Sequence, residues 1–176
     1  MSTDDSDTSD DRAELARRAV AALASRNLTL AVAESLTGGL VMAALTEVPG
    51  ASAVLRGGPV VYATDTKAAA LDVDPELLAD RGPVDPDVAE AMARSVRNRW
   101  GADLGLATTG VAGPEPQAGH PVGEVYVALA DELGATVVGL DLAAAGGRAA
   151  IREKTVEQAL ATLLARWGLG GEASVG

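Results

Sequence analysis

Short apolar segments of strand length alternate with helix-patterned stretches along the first two thirds of this chain, and no other feature narrows its fold as much. From Arg12 to Arg26, the apolar residues Leu15, Ala19, Ala22 and Leu23 recur at helical spacing, and Asn27 is the expected stop. Leu28 to Ala33 reads as a short buried strand. Glu34-Ser35-Leu36-Thr37-Gly38-Gly39 follows, then a helical run from Leu40 to Glu47 that Pro49-Gly50 breaks. Leu55 to Ala63 reads as a second strand, with Gly57-Gly58 marking a bulge or a close approach. Thr64 or Asp65 is the expected cap of a helix holding Lys67 to Leu71. Asp74-Pro75 and Asp85-Pro86 each open a helix with proline at its first position, the second running to Trp100. Leu104 to Thr108 is a strand, and Thr109 to Val122 a loop rich in Gly and Pro. Val125 to Ala130 and Ala135 to Leu142 form a hairpin, and a last helix follows Gly146-Gly147 and ends at Trp167.

Helices alternate with strands first, and strands cluster later. That order predicts one α/β domain over residues 12–167, a three-layer α/β/α sandwich whose mixed sheet of about five strands is covered on both faces. There is no internal repeat. Residues 1–11, a Ser/Thr/Asp run, are expected to be a disordered acidic tail, and 168–176 a flexible C-terminal tail. Hydrophobic residues make up 48% of the chain but aromatics only 2%, with no Phe, so the core must be built from Ala, Val and Leu.

Composition removes several chemistries. The absence of Cys excludes disulfides, thiolate metal sites and thiol nucleophiles. The single His, His120, excludes a multi-histidine metal cage. Neither a metal nor a cofactor is expected. The net charge of −11 includes Asp4, Asp5, Asp7, Asp10 and Asp11 in the tail, and a negative surface argues against nucleic-acid binding. A local cationic pocket for one phosphate is compatible with that charge. No apolar run approaches the roughly 20 residues of a membrane span. The acidic N-terminus fits neither a secretory nor a transit peptide. No membrane partner and a cytoplasmic location are therefore expected.

Three loops can carry chemistry. Ser35-Leu36-Thr37-Gly38-Gly39 joins a strand to a helix, where helix N-terminal N–H groups are exposed and two glycines admit a ligand to the backbone. Ser35 there is placed as a nucleophile, although taken alone the loop reads as a cap with glycines that make room for packing. In the second, Tyr62 to Lys67, a lysine is retained in a chain with twelve Arg and only one other Lys, Lys154. A retained amine suits a titratable role, and equally a solvated helix start. The third, Thr109-Gly110-Val111-Ala112-Gly113-Pro114, offers backbone and hydroxyl donors to a phosphate or carbonyl, or is an ordinary surface loop. His120 reads as an exposed loop residue with no carboxylate placed to orient it, Tyr126 as core and Lys154 as surface.

Together these segments, with Gly57-Gly58-Pro59-Val60-Val61-Tyr62 and Pro121-Val122-Gly123-Glu124-Val125-Tyr126, resemble the CinA C-terminal domain family from about Leu15 to Trp167. The resemblance implies a nicotinamide-nucleotide amidase, which deamidates nicotinamide mononucleotide to nicotinate mononucleotide and ammonia in pyridine-nucleotide recycling. It implies Ser35 as nucleophile, Lys67 as base and Tyr62 as the residue that orients Lys67 or relays its proton. Thr109 and Arg148 fall on substrate-contacting positions. Thr37, Gly38, Gly39 and Gly110 are expected around the substrate, with N–H groups near Thr37 and Gly38 holding the oxyanion. A small-molecule nucleotide is the implied partner, and a homodimer is implied by the family alone. Many relatives carry this domain behind a larger one, for which these 176 residues are expected to leave no room.

Three positions depart from the family pattern: Leu36 where relatives have Cys, Glu115-Pro116-Gln117 where they have Gly-Gly, and Gly147 where they have Asp before Arg148. The lost acid beside Arg148 supports an alternative, a non-catalytic nucleotide-binding or regulatory domain of the same fold. A hydrolase for a different amide is a third reading.

Overall fold

The computed structural model describes residues 5–169, with side chains from Asp11 onward. Its strands are β1 (Leu30–Glu34), β2 (Leu55–Gly57), β3 (Leu104–Gly110), β4 (Glu124–Ala130) and β5 (Ala135–Asp141). Its helices are α1 (Asp5–Ser25), α2 (Leu40–Thr46), α3 (Thr64–Leu71), α4 (Pro75–Arg81), α5 (Pro86–Arg99) and α6 (Arg148–Ala165). The five strands form one mixed sheet in the order β2-β1-β3-β4-β5. β1 is parallel to β2 and β3, and the β3–β4 and β4–β5 pairs are antiparallel.

Every residue of β1 and β3 is buried, which is why these strands read as continuous small or apolar runs and not as alternating ones. Leu30, Val32, Leu104 and Leu106 pack beneath α1, α2 and α6 with Leu23, Leu45, Leu160 and Leu163. Ala31, Ala33 and Ala107 face the other layer, with Leu71 of α3, Leu78 of α4 and Val88, Met92 and Val96 of α5. The α/β/α sandwich with a five-stranded mixed sheet is thus the observed fold. No described helix is long and apolar enough to cross a membrane.

Three local expectations need correction. Helix α1 starts at Asp5 and not at Arg12, so its backbone takes in residues 5–11. Residues 1–4 and 170–176 lie outside the described residues. Strand β2 stops at Gly57 and does not reach Ala63. A Cβ on Gly58 would sit 1.8 Å from Val32 O, so the backbones touch here as the glycine pair suggested, but Pro59 brings no N–H and the chain leaves the ladder. It meets β1 again only at Glu34–Val60. The N-cap of α3 is Ala63, without a side-chain cap; Thr64 and Asp65 are already helical. Asp74 and Asp85 do cap α4 and α5, accepting from the N–H groups of Glu76 and Asp87 with proline next in line. The turn of the β4–β5 hairpin is held by Asp131, which accepts from Leu133 and Gly134.

The topology places a crevice. The connection after β1 leads away to β2 at one edge, whereas β3 is followed by β4 on the other side. The loops leaving the C-terminal ends of these adjacent parallel strands therefore diverge, and between such ends an open α/β sheet has its natural binding cleft.

Candidate active site

Ser35 is the first residue beyond β1, with its N–H donating to Thr108 O at 3.0 Å and its side chain at the cleft. Lys67 occupies the first turn of α3 and is 1% exposed. Its Nζ lies 3.1 Å from Ser35 Oγ and donates to Val61 O at 2.9 Å. Burial in this apolar wall pushes the Lys67 amine down from 10.5 to about 8, because an ammonium loses hydration there.

The third wall is the end of β3, which runs on through Thr109 and Gly110 instead of ending at Thr108 as expected, together with the loop after it. Thr109 is buried and its hydroxyl donates to Pro83 O at 2.6 Å, tying this strand end to the turn before α5. Arg148, at the first position of α6, reaches across the cleft mouth. It donates to Tyr62 Oη at 2.6 Å and to Gly113 O at 2.5 Å. The acid that Gly147 replaces is thus not needed to hold Arg148. Tyr62 is 55% exposed and its hydroxyl accepts from Arg148, while Lys67 donates to the neighbouring carbonyl of Val61.

These groups line one cavity of about 90 Å³, shared by Ser35, Tyr62, Lys67, Thr109, Gly110 and Arg148 with Glu115 and Gln117. Thr37, Gly38 and Gly39 do not line it. The Thr37 hydroxyl and the Gly38 and Gly39 N–H groups are spent within the fold. Thr37 is fully buried with its hydroxyl 2.8 Å from that of Thr108, and the Gly38 N–H returns to Ser35 O. The Gly39, Val41 and Met42 N–H groups all donate to the Glu34 carboxylate. The exposed helix start expected from the sequence is therefore capped from within, by a buried acid at the end of β1.

Glu34 was not singled out from the sequence, although an acid ending an otherwise apolar strand is a visible signal. Arg152 was also missed. One helical turn after Arg148, it donates to Leu36 O at 3.0 Å and Thr37 O at 2.9 Å and so clamps the loop that carries Ser35. Leu36, which stands where relatives have Cys, packs against Val125 and Ile151 and so faces the core. His120 does have an orienting carboxylate: Nδ1 is 3.0 Å from Glu124, which also accepts from the partly exposed Tyr126 hydroxyl. That group lies outside the Ser35 cavity. Lys154 is on the surface near Glu157.

The family described as CinA C-terminal domain matches residues 12–167. A CinA-like protein of Frankia casuarinae is 54% identical over 138 residues, 78% of this chain and 31% of that protein. One of Gloeobacter violaceus is 47% identical over 151 residues, 85% of this chain and 35% of that protein. The chain thus spans about a third of the length of these relatives. Among solved structures, the competence/damage inducible protein CihA of Agrobacterium tumefaciens superposes with a TM-score of 0.84 at 39% identity, covering 88% of this chain and 94% of that one. A CinA superfamily protein of Klebsiella pneumoniae gives 0.84 at 31%, covering 89% and 99%.

Proposed function

The chain belongs to the CinA C-terminal domain family, and on that premise we propose that it hydrolyses the carboxamide of nicotinamide mononucleotide to nicotinate mononucleotide and ammonia. One observation carries this reading: a buried lysine amine, its pKa brought to about 8, lies 3.1 Å from a serine hydroxyl at the wall of a cavity. With a pKa of 8, about a tenth of Lys67 is neutral at pH 7 and about half at pH 8, enough to serve as a base that an ordinary lysine cannot supply.

Neutral Lys67 takes the proton of Ser35 as Oγ forms a bond to the carboxamide carbon. Collapse of the tetrahedral adduct breaks the C–N bond, and the Lys67 proton passes to the departing nitrogen, which leaves as ammonia. Water, deprotonated by Lys67, then cleaves the Ser35 ester, yielding the carboxylate and restoring the serine. Arg148 has a five-donor guanidinium of which two contacts hold Tyr62 and Gly113, leaving donors for the phosphate. The non-catalytic alternative drew its support from the lost acid beside Arg148; with Arg148 held by Tyr62 and Gly113, that support falls away.

Ammonia release from nicotinamide mononucleotide is the deciding assay. Ser35→Ala should reduce it by at least about a thousandfold while the circular dichroism spectrum is kept. No release from the unaltered chain would leave the nucleotide-binding alternative or a different amide substrate.

A further inference from the structure

The cavity holds a charge that the proposed chemistry does not use. Glu115 lines it together with Arg148 and Lys67, yet makes neither an ion pair nor a side-chain hydrogen bond among the described residues. Thr109 is committed to Pro83, Lys67 to Ser35 and Val61, and Arg148 to Tyr62 and Gly113, while the exposed Glu115 carboxylate, like the exposed and neutral Gln117 amide, keeps its side chain free for a ligand. An unpaired carboxylate beside the one arginine fit to take a phosphate would weaken the binding of a ligand that is only an anion. It is favourable for a ligand that brings a cation as well.

We propose that Glu115 is the counter-ion for a cationic aromatic ring, so that the cavity selects zwitterionic nucleotides: anion toward Arg148, ring cation toward Glu115. The inference rests on the amidase reading for the identity of that ring, a pyridinium carrying the carboxamide. The ring and its carboxamide would enter among Ser35, Lys67 and Glu115, with the sugar and phosphate extending toward the exposed Arg148. The same carboxylate disfavours the product. Once the amide has become a carboxylate, the group on the ring repels Glu115, and release is aided where the substrate was held. Glu115 thus discriminates by charge between two molecules of nearly equal shape.

Binding measured without turnover separates this proposal from the catalytic one. Ser35→Ala and Ser35→Ala/Glu115→Gln are titrated calorimetrically with three ligands. These are nicotinamide mononucleotide, its reduced form with an uncharged dihydropyridine ring, and nicotinate mononucleotide. Glu115→Gln should raise the Kd of the cationic nucleotide about fivefold at low salt, a size expected of one charge contact near solvent, with the effect shrinking as salt rises. The reduced nucleotide should change less than about twofold. Nicotinate mononucleotide, whose own carboxylate offsets the ring, should also change less than about twofold. An equal loss for the oxidised and reduced rings, or no loss for either, overturns the assignment. Absence of ammonia release from the unaltered chain with these binding differences intact would sink the amidase reading and leave Glu115 as a charge selector.

Discussion

Lys67 is almost fully enclosed, and a protonated amine there is held at a cost that appears in both rate and stability. In the rate, kcat/KM should rise with pH to a plateau above about 8, since only the neutral amine can accept the Ser35 proton. A bound pyridinium adds positive charge near Lys67, so the limb in kcat should fall at lower pH than the limb in kcat/KM. Coincident limbs would place the ring away from the amine. Lys67→Arg, permanently charged, should be nearly as inactive as Ser35→Ala, whereas Lys154→Arg should be silent. In stability, the folded pKa lies below the unfolded value of 10.5. Between about 8 and 10.5 the unfolded chain binds the proton that the folded chain has released, so stability rises with pH across that window. Below it both states are protonated and the fold carries the whole burden, on the order of 3 kcal/mol. Lys67→Met fills similar space without the charge. Urea denaturation at pH 7.5 and pH 10 should show the wild type gaining stability relative to Lys67→Met; parallel behaviour would mean that the amine is not buried as described.

Two arginines on one face of α6 divide the work of that element. Arg148 points to the cleft mouth and Arg152, one turn on, grips the carbonyls of Leu36 and Thr37. On the proposed reading, in which its charge holds the phosphate equally before and during the reaction, Arg148→Ala should raise KM about tenfold or more and lower kcat less. Arg152→Ala should do the reverse. It touches no substrate, but it frees the loop that fixes Ser35 relative to Lys67, and loss of that placement should lower kcat about ten- to a hundredfold with KM little changed. Arg152→Lys, able to reach one carbonyl, should recover part of the loss. A KM effect without a kcat effect would show that Arg152 contributes to binding and not to positioning.

The three layers meet most closely where α5 crosses β3. A Cβ on Gly105 would lie 2.0 Å from Ala93 O and 2.8 Å from Arg97 Cβ, so α5 rests directly on the strand backbone. Gly105→Ala must push the helix off the sheet, and with it the Pro83–Val84 turn that lines the cavity. The expected cost is about 2–4 kcal/mol, read as a lower urea midpoint with the slope unchanged. Activity should fall with it, since Thr109 is anchored to Pro83. An unchanged midpoint would mean that the layer spacing is softer than the contact implies.

By itself the amino-acid sequence determined the kinds and order of the elements, because the signals involved are local. Buried strands read as apolar runs, Asp74-Pro75 and Asp85-Pro86 as helix starts, Gly57-Gly58 as a close approach, and the Asp131–Gly134 turn as the link of a hairpin. The loops holding Ser35, Lys67 and Thr109-Gly110 also stood out locally, and the family resemblance added Tyr62 and Arg148 to the candidates. What only the tertiary structure decided is which donors are free. Whether the N–H groups at the start of α2 face a ligand depends on where the Glu34 carboxylate turns, and it turns onto them. Where the Tyr62 hydroxyl is held depends on a partner 86 residues away, Arg148, which donates to it. And the Lys67 amine loses affinity for its proton only when β1 and α3 pack together, since no local pattern fixes how much water a side chain loses on folding.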